Sequence, residues 1–202
     1  MPNITNRPIQ PDNYYPEKTK KQGIVLHHTV SSTVDSVYNC WNGDNKHIAV
    51  PYIIDKQGII YETFNPAYWS YHIGGKSTSQ DNKNWIGIEL VNEGILTRVP
   101  VGSKIVYNWT FGEYKGKVFQ NKLLWRGSYF FASYTDEQII ATAYLCWKLC
   151  RDFGIPNNVI PNLNYSPANI NTMGILAHCN LRPDKSDISP AFDFNLFLEK
   201  LL

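Results

Sequence analysis

The chain has 202 residues, 43 % apolar and 14 % aromatic, with a formal net charge of +2. That length suits one domain with a full core. The small charge excludes a strong basic field for nucleic acid, and no apolar run approaches the roughly 20 residues of a membrane-spanning helix.

Residues 1–22 are polar and carry Pro2, Pro8, Pro11 and Pro16; they read as an extended lead-in over the surface. The opening Met1-Pro2-Asn3-Ile4-Thr5-Asn6 lacks the basic and apolar regions of a signal peptide, which predicts synthesis in a cytoplasm. Gly23 to His28 is a short apolar run ending in two histidines and reads as a buried central strand. Thr33 or Ser32 N-caps a helix whose Val34, Val37, Tyr38 and Trp41 share a face, and Gly43 stops it. Residues 49–55 and 59–64 flank Asp55-Lys56-Gln57-Gly58, a hairpin signature with glycine where positive φ is needed. Pro51 lacks an N–H, so its strand is expected to be an edge or bulged there. Residues 65–84 read mostly as loop. Trp85 to Val91 is a strand apolar on both faces except for Glu89, a carboxylate whose burial is costly unless it is paired or functional.

Residues 92–133 break the rhythm and read as a small strand-and-loop insertion in a single domain spanning 1–202. Thr135-Asp136-Glu137-Gln138 is a capping box. Ile139, Ile140, Ala143, Tyr144, Trp147, Cys150 and Phe153 continue it at helical spacing, as a core face, to Gly154 and Pro156. After a Pro/Asn loop, Met173 to Ala177 reads as a strand ending at His178. Asp193 caps a last helix with Phe194, Phe197, Leu198 and Leu201 on one side. The order predicts an α/β fold: a mixed central β-sheet with helices packed on it, plus the insertion.

Polar residues gather just beyond the apolar strands, where scaffolds carry chemistry. They are His27 or His28, Glu89, and the loop from His178 to Asp187 with Lys185 inside it. Two histidines and an aspartate match the three protein ligands of a catalytic zinc site, whose fourth position stays open. Zinc there brings the pKa of bound water to about 7. A carboxylate takes and returns the proton, and a lysine stabilises the oxyanion on an attacked carbonyl. Those parts add up to an amide hydrolase. The four cysteines form no disulfide framework or paired zinc knuckle, and Cys179 is expected on the far side of its strand from His178.

Three blocks, Val25-Leu26-His27-His28-Thr29, Ile86-Gly87-Ile88-Glu89-Leu90 and the stretch from His178 through Asp187 to Asp193, resemble the zinc-dependent N-acetylmuramoyl-L-alanine amidases. That family includes phage and bacterial amidases and the peptidoglycan recognition proteins. The resemblance covers roughly residues 23–91 and 134–202 and leaves 92–133 unmatched. It implies zinc held by His27, in preference to His28, together with His178 and Asp187. It makes Glu89 the catalytic carboxylate and Lys185 the lysine acting in the transition state. The implied reaction is hydrolysis of the amide between the lactyl group of N-acetylmuramic acid and L-alanine. His72 and Trp69, in a loop that also resembles the family's, and Arg126 in the insertion are candidate substrate contacts. The implied partner is peptidoglycan or a soluble muropeptide, met at the wall after release, as by a phage lysin, or in the cytoplasm. The family often has Asp-Pro-Gly at the third ligand, whereas this chain has Asp187-Ile188-Ser189, so the following loop is expected to differ in shape. A non-catalytic peptidoglycan-binding module and another zinc-dependent amide hydrolase stay open as alternatives.

Overall fold

A computed structural model describes residues 2–43, 46–98 and 102–201. Positions 1, 44–45, 99–101 and 202, which include the start of the lead-in and part of the insertion, lie outside the described residues. In chain order the main elements are β1 (Ile4–Asn6), β2 (Gly23–His28), α1 (Val34–Asn42), β3 (Tyr52–Ile54), β4 (Ile60–Glu62), α2 (Ser79–Asn84) and β5 (Trp85–Leu90). There follow β6 (Ile95–Leu96), β7 (Val118–Trp125), β8 (Ser128–Ala132), α3 (Asp136–Phe153), β9 (Gly174–Ala177), α4 (His178–Leu181) and α5 (Phe194–Leu201).

The central sheet has the order β1-β4-β3-β5-β2-β9. β3, β5, β2 and β9 run parallel, β4 is antiparallel to β3, and β1 runs with β4. The fold is thus mixed α/β. β2 is covered on both faces, which is why its residues read as an unbroken apolar run rather than an alternation. Ile24, Leu26, Ile86, Ile88 and Leu90 pack under α3 and α5. Val25, Trp85 and Leu176 face the other way, where Ile73 joins them. Strand alternation puts His28 on the α3 face and turns His27 and Glu89 to the opposite one.

Several local expectations change. The lead-in adds β1 to the sheet as an edge strand, with Ile4 paired to Ile60. β3 is interior: Pro51 sits just before it, so the missing N–H is outside the ladder. A helix, α2, lies in the stretch read as loop. Its start is a full capping box in which Thr78 and Asp81 satisfy each other's backbone N–H. Thr135 does cap α3, but the box there is only half made. The Gln138 side chain instead donates to the carbonyls of Ile54 and Val91, at 3.0 and 3.1 Å. The buried face of α3 runs through Ile139, Ala143, Cys146 and Cys150, while Ile140 and Trp147 stay exposed. The Trp147 ring carries the Arg151 guanidinium rather than filling the core.

The insertion forms its own antiparallel sheet, ordered β6-β8-β7. Buried Asn92 closes its base by donating to the carbonyls of Ala132 and Ser133, both at 3.2 Å. Among the described residues no helix is long and apolar enough to cross a membrane.

Gly87 in β5 lets the chain approach closely on the face that carries His27. A Cβ there would meet Val50 Cγ1 at 2.3 Å and His72 Nδ1 at 3.1 Å. Gly87→Ala is expected to destabilise the protein by about 1–3 kcal/mol through overpacking, read as a lower Tm in thermal unfolding. An unchanged Tm would show that Val50 and His72 move aside freely.

Candidate metal centre and catalytic cleft

The parallel core of the sheet brings the polar residues to one level. In the β2–β5 register His27 pairs with Glu89, and in the β2–β9 register Leu26 pairs with Ala177. His178 is the next residue after Ala177. It therefore emerges beside His27 at the carboxyl ends of adjacent strands, the place where open α/β sheets collect ligands. The chain turns there into the single helical turn of α4. Cys179 consequently leaves the strand geometry and is buried in the core under α3 and α5, not on an alternating strand face. The Cys179 N–H donates to the Asp187 carbonyl at 2.7 Å, which folds the loop back so that Asp187 returns to His178.

His27 and His178 are each 3 % exposed and Asp187 is 7 % exposed. His27 Nδ1 lies 3.0 Å from His178 Nδ1, and Asp187 Oδ2 lies 2.8 Å from His178 Nδ1 and 3.3 Å from His27 Nδ1. The outer ring nitrogens decide what these atoms present. His178 Nε2 is 2.7 Å from the Ile73 carbonyl, which can only accept, so Nε2 holds the proton and Nδ1 of the neutral ring offers a lone pair. His72 Nε2 faces the Trp85 carbonyl at 3.4 Å, and His72 Nδ1 lies 3.0 Å from His27 Nε2. His72 thus donates outward and accepts from His27 Nε2–H, leaving His27 Nδ1 as a lone pair as well.

Burial, reinforced by His178, pushes His27 down to about 4. Burial and the neighbouring His27 hold His72 well below the usual imidazole range. Both rings are neutral at neutral pH. Burial alone would raise the Asp187 carboxyl, but His178 and His27 outweigh it and keep it ionised, well below the usual carboxylate range. Three acceptors therefore meet in a dry site. A metal cation relieves all three at once. The three ligand atoms lie within 4.8 Å of one another, and their donor set suits a metal.

Glu89 sits beside this group. Its Oε2 is buried and has no hydrogen-bond partner among the described residues. Burial, then the charge of Asp187, raises its carboxyl to about 8, with Lys185 pulling the other way. Lys185 is half-buried, and its charge reaches both Glu89 and His27. Glu89 also lines a cavity of about 410 Å³ whose wall includes Glu93, Asn108 and Trp109 from the insertion.

The other sequence candidates fall elsewhere. Trp69 is buried and stacks on Tyr15 with ring centroids 4.1 Å apart, while its indole N–H donates to Glu17 at 2.8 Å. It staples the lead-in to the sheet and is absent from the cavity wall. Arg126 stands at the tip of the β7–β8 hairpin with its guanidinium over Trp125, also outside that wall. His72 lies behind His27 rather than on a substrate-facing loop. His28, on the α3 face, bonds the Tyr134 hydroxyl at 2.9 Å. Sequence reasoning missed Asn82, which is fully buried and accepts from the N–H groups of His72 and Ile73 at 2.9 and 3.0 Å. It sets the backbone from which His72 and the Ile73 carbonyl orient both histidines. The Thr78-x-x-Asp81 cap just before it was the available signal.

The fold has relatives among solved structures. The structure resembles the amidase LysC from Clostridium intestinale, at 16 % identity and TM-score 0.55 over 100 % of this chain and 98 % of that one. It resembles a mutant endolysin from Bacillus subtilis, at 16 % identity and TM-score 0.57 over 100 % of both chains. It also resembles the Staphylococcus aureus hydrolase AmiA, at 14 % identity and TM-score 0.58 over 100 % of this chain and 84 % of that one. No curated protein matches the sequence. At such identities the likeness speaks for the fold. Residues 17–190 match the family described as N-acetylmuramoyl-L-alanine amidase. The chain belongs to the N-acetylmuramoyl-L-alanine amidase family, and its reaction is hydrolysis of the amide between N-acetylmuramic acid and L-alanine in peptidoglycan.

Proposed function

We propose that this amidase works with zinc held by His27 Nδ1, His178 Nδ1 and Asp187 Oδ2. The single observation that carries the reading is the meeting of two imidazole lone pairs and one carboxylate oxygen in a buried site. Zinc–ligand bonds of about 2.0–2.1 Å imply edges of roughly 3.3 Å between tetrahedral ligands. The distances here, 2.8–3.3 Å, need only small movements to reach that. When bound, zinc supplies Lewis acidity, which acidifies water and polarises a carbonyl oxygen.

The remaining steps fall to the chain's own side chains. Glu89 takes a proton from the attacking water at its unpartnered carboxylate oxygen. The water oxygen adds to the lactyl carbonyl carbon. Glu89 then returns the proton to the alanine nitrogen as the C–N bond breaks, leaving a carboxylate and a free amine. Without metal, burial and then Asp187 raise this carboxyl to about 8, and a cation on the three ligands would favour its ionised form, so that it can take the proton and return it. The ammonium of Lys185 stabilises the oxyanion of the tetrahedral intermediate. His72 is a positioning residue: it fixes the tautomer and angle of His27 without touching substrate. The substrate is wall peptidoglycan or a muropeptide derived from it.

The protein should bind one zinc per chain. It should release new L-alanine amino groups from purified peptidoglycan without new reducing sugar ends. Reducing ends would mark a glycosidase, and a zinc-loaded protein that binds wall without releasing amines would be a recognition module. Glu89→Gln should lower kcat by about 10²–10⁴-fold while zinc content stays at one per chain; unchanged turnover would remove Glu89 from the mechanism.

His72→Phe should weaken zinc affinity by about 10–100-fold, measured by chelator competition. His72→Gln, whose amide oxygen can still accept from His27 Nε2–H, should recover part of that loss. Equal affinity in all three proteins would show that His72 does not orient His27.

The metal-free protein should also show the Glu89 titration in its stability. Its folded carboxyl is raised to about 8 from an ordinary 4.5. Between those values the unfolded chain gives up the proton first, so this group makes stability fall as pH rises. The Tm advantage of metal-free Glu89→Gln over wild type should therefore grow from pH 5 to about pH 8 and then level off. A difference independent of pH would contradict a raised carboxyl.

A further inference from the structure

The insertion crosses to the strand that carries His27. The indole N–H of Trp109 donates to the Val30 carbonyl at 2.8 Å, two residues past the end of β2. Val30 has φ of 52°. For a β-branched residue that is a strained backbone, of the kind that persists at functional sites when neighbours hold it. Trp109 rides on a tight turn organised by Asn108, whose Oδ1 accepts from the N–H groups of Thr110 and Gly112 at 3.2 and 2.9 Å. Phe111 in the same turn also has a positive φ, 60°.

This rigid turn displays rings instead of burying them: Trp109 is 64 % exposed and Phe111 is 81 % exposed. Holding a large apolar ring in water on a hydrogen-bonded, strained turn gains nothing for the core. Below Trp109 the cavity runs to Glu89. Its wall carries hydroxyls from Thr29, Ser31, Ser32, Ser36 and Thr110. It also carries the carboxylate of Glu93, which is 6 % exposed and, among the described residues, receives a long 3.5 Å contact from Asn108. An anchored aromatic ring, a set of hydroxyls and an under-used carboxylate are the chemistry that recognises a saccharide. The apolar face of a sugar ring stacks on the indole, and its hydroxyls bond the polar wall.

We propose that Trp109, with Glu93 and the hydroxyl wall, forms a subsite for the sugar side of the scissile amide, built by the insertion onto the catalytic cleft. It rests on the amidase reading above and adds which part of the substrate the insertion holds. The glycan is then held before the amide reaches Glu89.

The test compares two substrates that share the scissile amide: a disaccharide-peptide, and a lactoyl-peptide of the same sequence without sugar rings. Trp109→Ala should raise KM for the disaccharide-peptide by about tenfold and leave KM for the lactoyl-peptide within about twofold, a tenfold change being the upper part of what one aromatic contact contributes. Trp109→Phe should keep most of the wild-type KM, and Glu93→Gln should raise KM in the same substrate-dependent way. Equal loss on both substrates, or a loss that follows stem-peptide length, overturns the subsite. Thermal unfolding of Trp109→Ala controls for misfolding. The amidase reading and the subsite fail separately. If wild type releases no alanine amines from either substrate, the amidase reading fails. Titration of wild type and Trp109→Ala with the disaccharide-peptide, followed by NMR, still decides whether Trp109 binds sugar, with equal affinities overturning it.

Discussion

The structure depends on one local constraint: two imidazoles and a carboxylate are brought together where water is excluded. Each group alone would be better solvated elsewhere. Backbone carbonyls of Ile73 and Trp85, the latter through His72, fix the ring tautomers so that lone pairs face inward. A cation is the simplest charge that suits both ring nitrogens and the carboxylate oxygen at once. The surrounding fold can be read as the apparatus that holds this meeting in place.

That apparatus has three parts. Parallel pairing of β2 with β5 and β9 puts His27, Glu89 and His178 at one level. The turn of α4 and the Cys179-to-Asp187 backbone bond bring the third ligand back across nine residues of sequence. Asn82, at the end of a short capped helix, orders the backbone of residues 72 and 73. On the far face, His28, Tyr134 and Ser189 link β2 to the loop just after Asp187, so the loop is tied on both sides of the sheet.

Burial raises both acidic side chains, and what each one faces sets them apart. Both are buried carboxyls. Asp187 faces two imidazoles that outweigh burial and keep it ionised, whereas burial, then the charge of Asp187, makes Glu89 hold its proton to higher pH. One apolar wall thus supports a permanent anion and a titratable acid side by side, which is the separation of roles that acid–base chemistry needs.

The histidines at the ends of β2 and β9 were legible as site candidates because each ends an apolar run that reads as a buried strand, while the choice of His27 over His28 and the place of Asp187, nine residues past His178 in a polar loop, came from the family resemblance. The strands β2 to β5 and β9 and the three longer helices were legible because period and caps are written within a dozen residues, whereas β1, in the polar lead-in, and α2 were not. Three things were decided only by the tertiary structure. Trp69 and His72 look alike as polar-loop residues, but long-range stacking on Tyr15 takes one to the lead-in, and a bond to His27 takes the other behind the site. The buried face of α3 is set by two partners at once, the sheet and α5, so a one-stripe reading of its periodicity misplaced Ile140 and Trp147. The insertion carries no pattern that says where it docks; only its closure at Asn92 and the bond from Trp109 to Val30 put it on the wall of the catalytic cleft.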